Sequence, residues 1–131
     1  MSEVFKFDVR IYYEDTDFSG NVYHGSYVKF FERARTEWLR HLGIHHHQLA
    51  KQGLAFAVRK MEIDFLKSAK IDDMLEISTK LTSISGARIM LEQEIFCNNK
   101  KLTSANVMVA VINAKGKAIR LPSEFKPLFI T

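Results

Sequence analysis

The sequence has little cysteine and little proline. One cysteine in 131 residues cannot form an intrachain disulfide or build a zinc-finger core. No apolar stretch approaches the roughly 18 residues that cross a bilayer, and the N-terminus lacks the apolar core of a secretory signal. Both prolines lie near the C-terminus, and no linker or repeat occurs. We therefore expect one domain, residues 1–131, in a reducing intracellular compartment.

The charge balance is weakly basic. Hydrophobic residues make up 47% of the chain and charged residues 26%, which excludes a disordered protein. Nineteen Lys and Arg against fifteen Asp and Glu give a net charge of +4, which suits an anionic partner or mere solubility. The basic residues are scattered and form no stripe with interleaved aromatics, which argues against nucleic acid.

Hydrophobic periodicity predicts seven elements before the C-terminal tail. Residues 4–12 alternate as a strand, and residues 25–42 have helical spacing, with a short polar helix at 45–52. Period-two patterns predict strands at 54–66, 74–84, 87–98 and 101–113. The residues on the apolar face of the long helix are Tyr27, Phe30, Phe31, Ala34, Trp38 and Leu42.

This order of elements predicts an α+β fold. An antiparallel five-stranded sheet wrapped around one long central helix covers the wide aromatic face best. Short connections between the last strands favour antiparallel pairing. An open sheet leaves two edges that commonly pair with a second copy, so we expect at least a dimer.

The chemistry concentrates in the loop before the long helix. Glu14, Asp15 and Asp17 place three acids within four positions, which like-charge repulsion makes costly. The loop leads through His24 into a helix N-terminus, whose unpaired N–H groups can hold a developing oxyanion. An acid and a histidine at such a point form a minimal hydrolytic site. The alternative is that an aspartate caps the helix or a turn and that His24 only begins the helix.

The run YYEDTDFSGNVYHGSYVKFFERARTEWL resembles the signature of hotdog-fold acyl-CoA thioesterases. The resemblance is to the YbgC-like, tol–pal-associated branch of the 4-hydroxybenzoyl-CoA thioesterase family. Its matching positions are Tyr12, Asp15, Thr16, Asp17, Gly20, Val22, Tyr23, His24, Tyr27, Phe31, Glu32, Ala34 and Arg35. A second block, from residue 63 to 77, resembles the family's second strand and the turn into the third.

The resemblance implies hydrolysis of acyl-CoA to a free acid and CoA. Asp17 corresponds to the catalytic carboxylate and acts as nucleophile or general base. His24 matches the family's histidine, and its backbone N–H would polarise the thioester carbonyl. Tyr13 matches a tyrosine that helps form the site, and Gly25 and Tyr27 are the predicted substrate-binding residues.

The resemblance also implies partners and a location. It predicts no metal and no cofactor other than coenzyme A as part of the substrate. It predicts a homodimer with active sites at the interface, or a homotetramer, in the cytoplasm, and allows an acyl carrier protein as a partner. The alternatives are a hotdog hydratase or dehydratase acting on acyl thioesters, or a non-catalytic module that binds acyl carrier protein or nucleic acid.

Several other residues invite a functional interpretation. His45, His46 and His47 form a histidine run, but adjacent helical residues point in different directions and no carboxylate lies nearby in sequence. A solvated helix end or part of the substrate entrance is the favoured interpretation. Cys97 is expected to be a small buried residue rather than a nucleophile. The candidate contacts for CoA phosphates are Arg59, Lys60, Lys67, Lys70 and Arg88.

Overall fold

One long helix packed against a five-stranded sheet forms the body of the chain in the computed structural model, which describes residues 3–130. The elements are β1 (Phe5–Arg10), a 3-10 turn (Tyr13–Asp15), α1 (His24–His41), α2 (His46–Lys51), β2 (Leu54–Phe65), β3 (Met74–Ser85), β4 (Arg88–Cys97), β5 (Lys100–Asn113) and α3 (Lys126–Phe129). The predicted α+β fold is confirmed, with bounds that differ by a few residues.

The strands lie in the order β1-β3-β4-β5-β2, and each neighbouring pair is antiparallel. The described sheet therefore has β1 at one edge and β2 at the other. These two edge strands follow one another in sequence, separated by α1 and α2. The hairpin from β4 to β5 turns at Asn98 and Asn99, whose φ angles are 51° and 64°. Two consecutive left-handed residues suit the right-handed twist of the flanking strands, and asparagine tolerates this conformation well.

The buried face of α1 supplies much of the core. The predicted members Tyr27, Phe30, Phe31, Ala34 and Trp38 are all at most 3% exposed. Leu42 is only partly buried, because α1 ends at His41 and Leu42 lies in its C-cap. Leu39 is buried on the helix in addition to the predicted set.

A buried polar network ties α1 to the centre of the sheet. Gln93 of β4 has no exposed surface, and its amide donates to the Phe31 carbonyl at 3.2 Å and to Thr79 Oγ1 at 2.9 Å. Its carbonyl oxygen accepts a hydrogen bond of 3.0 Å from the Arg35 guanidinium. Burial lowers the pKa of Arg35. The network fixes the position of the helix over the strands.

A β-bulge in β2 changes which residues of this edge strand face α1. Val58 pairs with Val109, and Met61 pairs with Val107, so one extra residue, Arg59, is inserted between them. Val109 and Val107 are both buried on β5. Because the insertion shifts the strand's alternation, apolar side chains on both sides of the bulge face the same way.

The C-terminal segment adds a short helix that the periodicity does not predict. Phe129 of α3 is 1% exposed, and its ring lies 5.5 Å from Trp38 and 6.4 Å from Phe56, between centroids. A four-residue helix gives no readable period, so tertiary contacts reveal it.

Candidate active site

The loop from β1 to α1 is anchored against the segment that precedes β3. The Ile11 N–H donates to the Asp73 carbonyl at 2.8 Å, and the Val22 N–H donates to the Ala69 carbonyl at 2.9 Å. Isolated bridges also pair Thr16 with Val22 and Asn21 with Lys70. These bonds hold the acidic segment at the entrance to α1.

Asp15 is the structural acid of this loop. It is 7% exposed, and its Oδ2 accepts a hydrogen bond of 2.9 Å from the Tyr12 N–H. Its backbone carbonyl accepts from the Tyr23 N–H at 2.9 Å and from the Ser26 hydroxyl at 3.2 Å. One residue thus stabilises the 3-10 turn and joins it to the start of α1.

Asp17, by contrast, has an exposed carboxylate that a tight turn orients. Its Oδ1 accepts hydrogen bonds from the Ser19 N–H at 2.9 Å and from the Ser19 hydroxyl. The turn closes where the Gly20 N–H donates to the Asp17 carbonyl at 3.0 Å, with Gly20 at a φ of 86° that favours glycine.

Electrostatics keep this carboxylate ionised. The Ser19 hydroxyl and N–H lower the pKa of Asp17 most, and the Asn21 backbone and the charge of His24 lower it further. Hydrogen bonds to a carboxylate favour its charged form. Asp17 is therefore a ready anion at neutral pH, held near the histidine that begins α1.

The N-terminus of α1 offers two backbone donors. His24 is its first residue, and the N-cap Tyr23 makes no side-chain capping bond. Within residues 3–130, neither the His24 N–H nor the Gly25 N–H donates a hydrogen bond. A Cβ on Gly25 would lie 2.5 Å from Cε2 of Tyr23, so glycine lets the Tyr23 ring approach the helix start. These free donors and the helix dipole suit a developing negative charge.

An aromatic pocket adjoins this helix start. The His24 ring lies 4.6 Å from the Phe65 ring, and Phe65 lies 5.6 Å from Tyr27, between centroids. The pocket has a volume of about 120 Å³, and its lining includes Lys67 and Ser68. The Tyr27 hydroxyl accepts a hydrogen bond of 2.9 Å from the Ala69 N–H, and burial raises the pKa of Tyr27. The hydroxyl is therefore already engaged, and we expect Tyr27 to line the pocket with its ring.

The structure brings most of the predicted site residues together. His24, Gly25 and Tyr27 share the first turn of α1, and Asp17 lies on the loop that leads into it. Tyr13 lies on the 3-10 turn with its side chain exposed, and its carbonyl accepts the Thr16 hydroxyl at 2.7 Å.

Sequence reasoning missed the two residues that position the acid and the histidine. Ser19 orients Asp17, and Phe65 packs on His24. An aspartate followed two residues later by serine and then glycine is a readable turn signal. The Phe65 contact has no such signal, because 41 positions of sequence separate the two rings.

The histidine run lies at the junction of α1 and α2. The His45 and His47 rings are 5.8 Å apart, and His46 packs edge-on to Phe56. No group of three histidine, cysteine or acidic side chains within residues 3–130 is arranged to hold a metal ion. None of the helices in that range is both long and apolar enough to traverse a bilayer.

Comparisons with known proteins give matches over most of the chain. The model of the thioesterase-like superfamily matches residues 11–129. The acyl-CoA thioesterase YbgC of Haemophilus influenzae is 45% identical over 127 residues, covering 95% of this chain and 93% of that protein. The acyl-CoA thioester hydrolase YbgC of Escherichia coli is 45% identical over 129 residues, covering 94% and 96%. The crystal structure of a protein described as a probable thioesterase, from Bartonella henselae, superposes with a TM-score of 0.87 at 45% identity, covering 92% and 100%.

Proposed function

The chain belongs to the thioesterase-like superfamily, and we propose that it hydrolyses acyl-CoA to a free acid and CoA with Asp17 and the start of α1. The observation that carries the assignment of residues is that the exposed Asp17 carboxylate lies on the loop leading into α1, whose first two N–H groups are unpaired. A nucleophile or base and an oxyanion site are the two parts that acyl transfer requires.

The backbone at His24 polarises the substrate in this proposal. The thioester carbonyl oxygen accepts a hydrogen bond from the His24 N–H, and the positive end of the α1 dipole stabilises the negative charge as it develops. A thioester has weak resonance stabilisation, so a positioned carboxylate and a polarised carbonyl suffice. We propose no metal and no cofactor beyond the CoA carried by the substrate.

Asp17 either attacks the carbonyl carbon or takes a proton from an attacking water. In the first case its free oxygen bonds to the acyl carbon, CoA leaves as the thiolate, and water then cleaves the mixed anhydride. The lowered pKa of Asp17 keeps the carboxylate ionised, which both roles require. The ring of His24 orients the substrate or exchanges protons near neutral pH.

Lys67 supports the CoA part of the proposal. It lines the small pocket beside His24 and Phe65, and its side chain is exposed. A flexible ammonium group at the mouth of the site suits a phosphate group of CoA. Of the basic residues suggested by the sequence, it is the one that shares a pocket with His24.

A thiol-release assay over short, long and aromatic acyl-CoAs tests the function. Asp17→Asn is expected to lower kcat about 100-fold or more while the protein stays folded. Glu14→Gln is the matched control, because Glu14 is an exposed acid on the same loop and is not one of the proposed site residues. Wild-type turnover by Asp17→Asn would remove Asp17 from the mechanism, and no thiol release from any acyl-CoA would refute the activity.

The working assembly is proposed to be a homodimer or homotetramer in the cytoplasm. The edge strand β2 carries exposed apolar side chains, Val58 and Phe65, which a second copy would cover. An acyl carrier protein is a further proposed partner for the acyl group. Light scattering of the purified protein tests the assembly, and a mass of about one chain would contradict it.

A further inference from the structure

Asn21 ends the turn that presents Asp17, and its backbone is held on two sides. Its carbonyl accepts a hydrogen bond of 2.9 Å from the Asp17 N–H, and an isolated bridge pairs Asn21 with Lys70 in the segment before β3. The next residue, Val22, is buried and donates its N–H to the Ala69 carbonyl. Asn21 itself is half-buried. Its side chain therefore starts from a fixed point at the end of the turn.

The side chain of Asn21 is bonded to Ser19. Its Nδ2 donates to Ser19 Oγ at 3.2 Å, and its backbone N–H donates to the same oxygen at 3.4 Å. The Ser19 hydroxyl in turn donates to Oδ1 of Asp17. The three side chains thus form one chain of hydrogen bonds, from amide to hydroxyl to carboxylate.

The hydrogens available in this chain fix its direction. An ionised carboxylate only accepts, the NH₂ group of an amide only donates, and a hydroxyl has one hydrogen and two lone pairs. Asn21 donates to the lone pairs of the Ser19 oxygen, so the hydroxyl hydrogen is left for Asp17. Ser19 is exposed, and without the amide its hydroxyl could rotate and donate to water instead.

The same chain distinguishes the two oxygens of Asp17. Oδ1 accepts the Ser19 N–H at 2.9 Å in addition to the Ser19 hydroxyl. Within residues 3–130, no side chain or backbone group forms a hydrogen bond with Oδ2. One oxygen is therefore committed to the turn, and the other keeps its lone pairs for a reacting group.

We propose that Asn21 is a positioning residue for hydrolysis, which holds Oδ1 of Asp17 through Ser19 and leaves Oδ2 as the reacting oxygen. The inference rests on the proposed thioesterase function. As a nucleophile, Oδ2 bonds to the acyl carbon, the C–S bond breaks, CoA leaves as the thiolate, and water then restores the carboxylate. As a base, Oδ2 takes the proton of the attacking water. In both cases Oδ1 keeps its bonds to Ser19, and hydrogen bonds joined in a chain strengthen one another.

The test is the pH dependence of kcat/KM for acyl-CoA hydrolysis by full-length Asn21→Leu, Ser19→Ala and the double variant. Leucine has the branching of asparagine but cannot donate to Ser19. Asn21→Leu is expected to move the acidic limb about half a pH unit higher, because Asp17 loses part of the bond that stabilises its anion. It should lower kcat about threefold, because the carboxylate is less well positioned. In the Ser19→Ala background, Asn21→Leu should change neither quantity further.

Two further variants complete the experiment. Asn21→Ala also removes the amide but adds no bulk, so it should give the same shift of the acidic limb as Asn21→Leu. Asn106→Leu is the matched control, because it makes the same chemical change at an exposed position of β5, outside the loop. Its acidic limb and kcat should equal those of the wild type.

Two results would overturn the inference while wild-type hydrolysis leaves the proposed function standing. One is an acidic limb at the wild-type pH in both Asn21→Leu and Asn21→Ala. The other is an equal loss from Asn21→Leu in the wild-type and Ser19→Ala backgrounds, which would show that Asn21 does not act through Ser19. Failure of the wild type to release thiol from every acyl-CoA would instead overturn the proposed function and this inference with it.

Discussion

The ring of His24 lies 4.6 Å from the ring of Phe65, at an interplanar angle of 39°. This contact joins the first residue of α1 to the last residue of the edge strand β2. The orientation of the histidine therefore depends on a strand that follows it in sequence by more than 40 residues. Aromatic pairs at this separation gain stabilisation beyond their buried area.

We expect Phe65 to act through His24. His24→Ala should lower kcat less than Asp17→Asn does, because the backbone N–H remains in the alanine variant. Phe65→Ala should lower kcat/KM about fivefold to tenfold, since the histidine loses its packing partner. In a double-mutant cycle, adding Phe65→Ala to His24→Ala should cost little more. Fully additive losses would contradict a positioning role for Phe65.

The acidic limb of the pH–rate profile should report the Ser19 contact. The pKa of Asp17 is lowered, so wild-type activity is expected to persist to a pH below the ordinary range of an aspartate. Ser19→Ala removes the hydroxyl bond, which is the largest cause of the lowering. The acidic limb of kcat/KM should therefore move to higher pH. The Ser19→Thr variant retains a hydroxyl and serves as the control. If the acidic limb of kcat/KM lies at the same pH in wild type and Ser19→Ala, the Ser19 hydroxyl does not set the pKa that controls activity.

Asp15 should govern stability rather than chemistry alone. Asp15→Ala leaves the Tyr12 N–H without its acceptor in a partly buried hydrogen bond, which costs about 1–2 kcal/mol of unfolding free energy. Glu14→Ala, one residue earlier and exposed, should change it by less than about 0.5 kcal/mol. Urea denaturation measures the unfolding free energy of both variants. An Asp15→Ala variant as stable as Glu14→Ala would show that the hydrogen bond from Tyr12 to Asp15 contributes nothing to stability.

Gln93 should be among the most sensitive positions in the core. Gln93→Leu has nearly the same volume but leaves the Phe31 carbonyl and the Arg35 guanidinium without their partner. We expect a loss of about 1–3 kcal/mol, with a lower Tm, because the Arg35 guanidinium loses a partly buried acceptor, while the Phe31 carbonyl retains its helical hydrogen bond. Thr79→Val, which removes only one of the three hydrogen bonds of the Gln93 side chain, should cost less. A Leu variant as stable as the wild type would contradict this account.

Much of the fold could be predicted because periodicity is a local property. The stripe of Tyr27, Phe30 and Phe31 indicates the long helix, and the alternation around Ile77 indicates a half-buried strand. The asparagine pair at 98 and 99 indicates a tight hairpin. Each signal lies within one element, so the sequence contains it in full.

The candidate site was predictable only through its motif. The spacing of Asp15, Asp17 and His24 left open which acid caps and which reacts, because aspartate favours both environments. In the structure both side chains accept a backbone hydrogen bond, but their exposure differs: Asp15 is buried against Tyr12, whereas Asp17 is exposed on its turn. Burial depends on what packs above a residue, and sequence spacing does not contain that information.

The amino-acid sequence by itself determined the helix, the strands, the family motif and the acid that resembles a catalytic carboxylate. Only the tertiary structure decided that β2 lies at the sheet edge beside β5 and that Phe65 meets His24. The reason is physical: local patterns fix which face of an element is apolar, but the pairing of distant elements follows from the packing of the whole core.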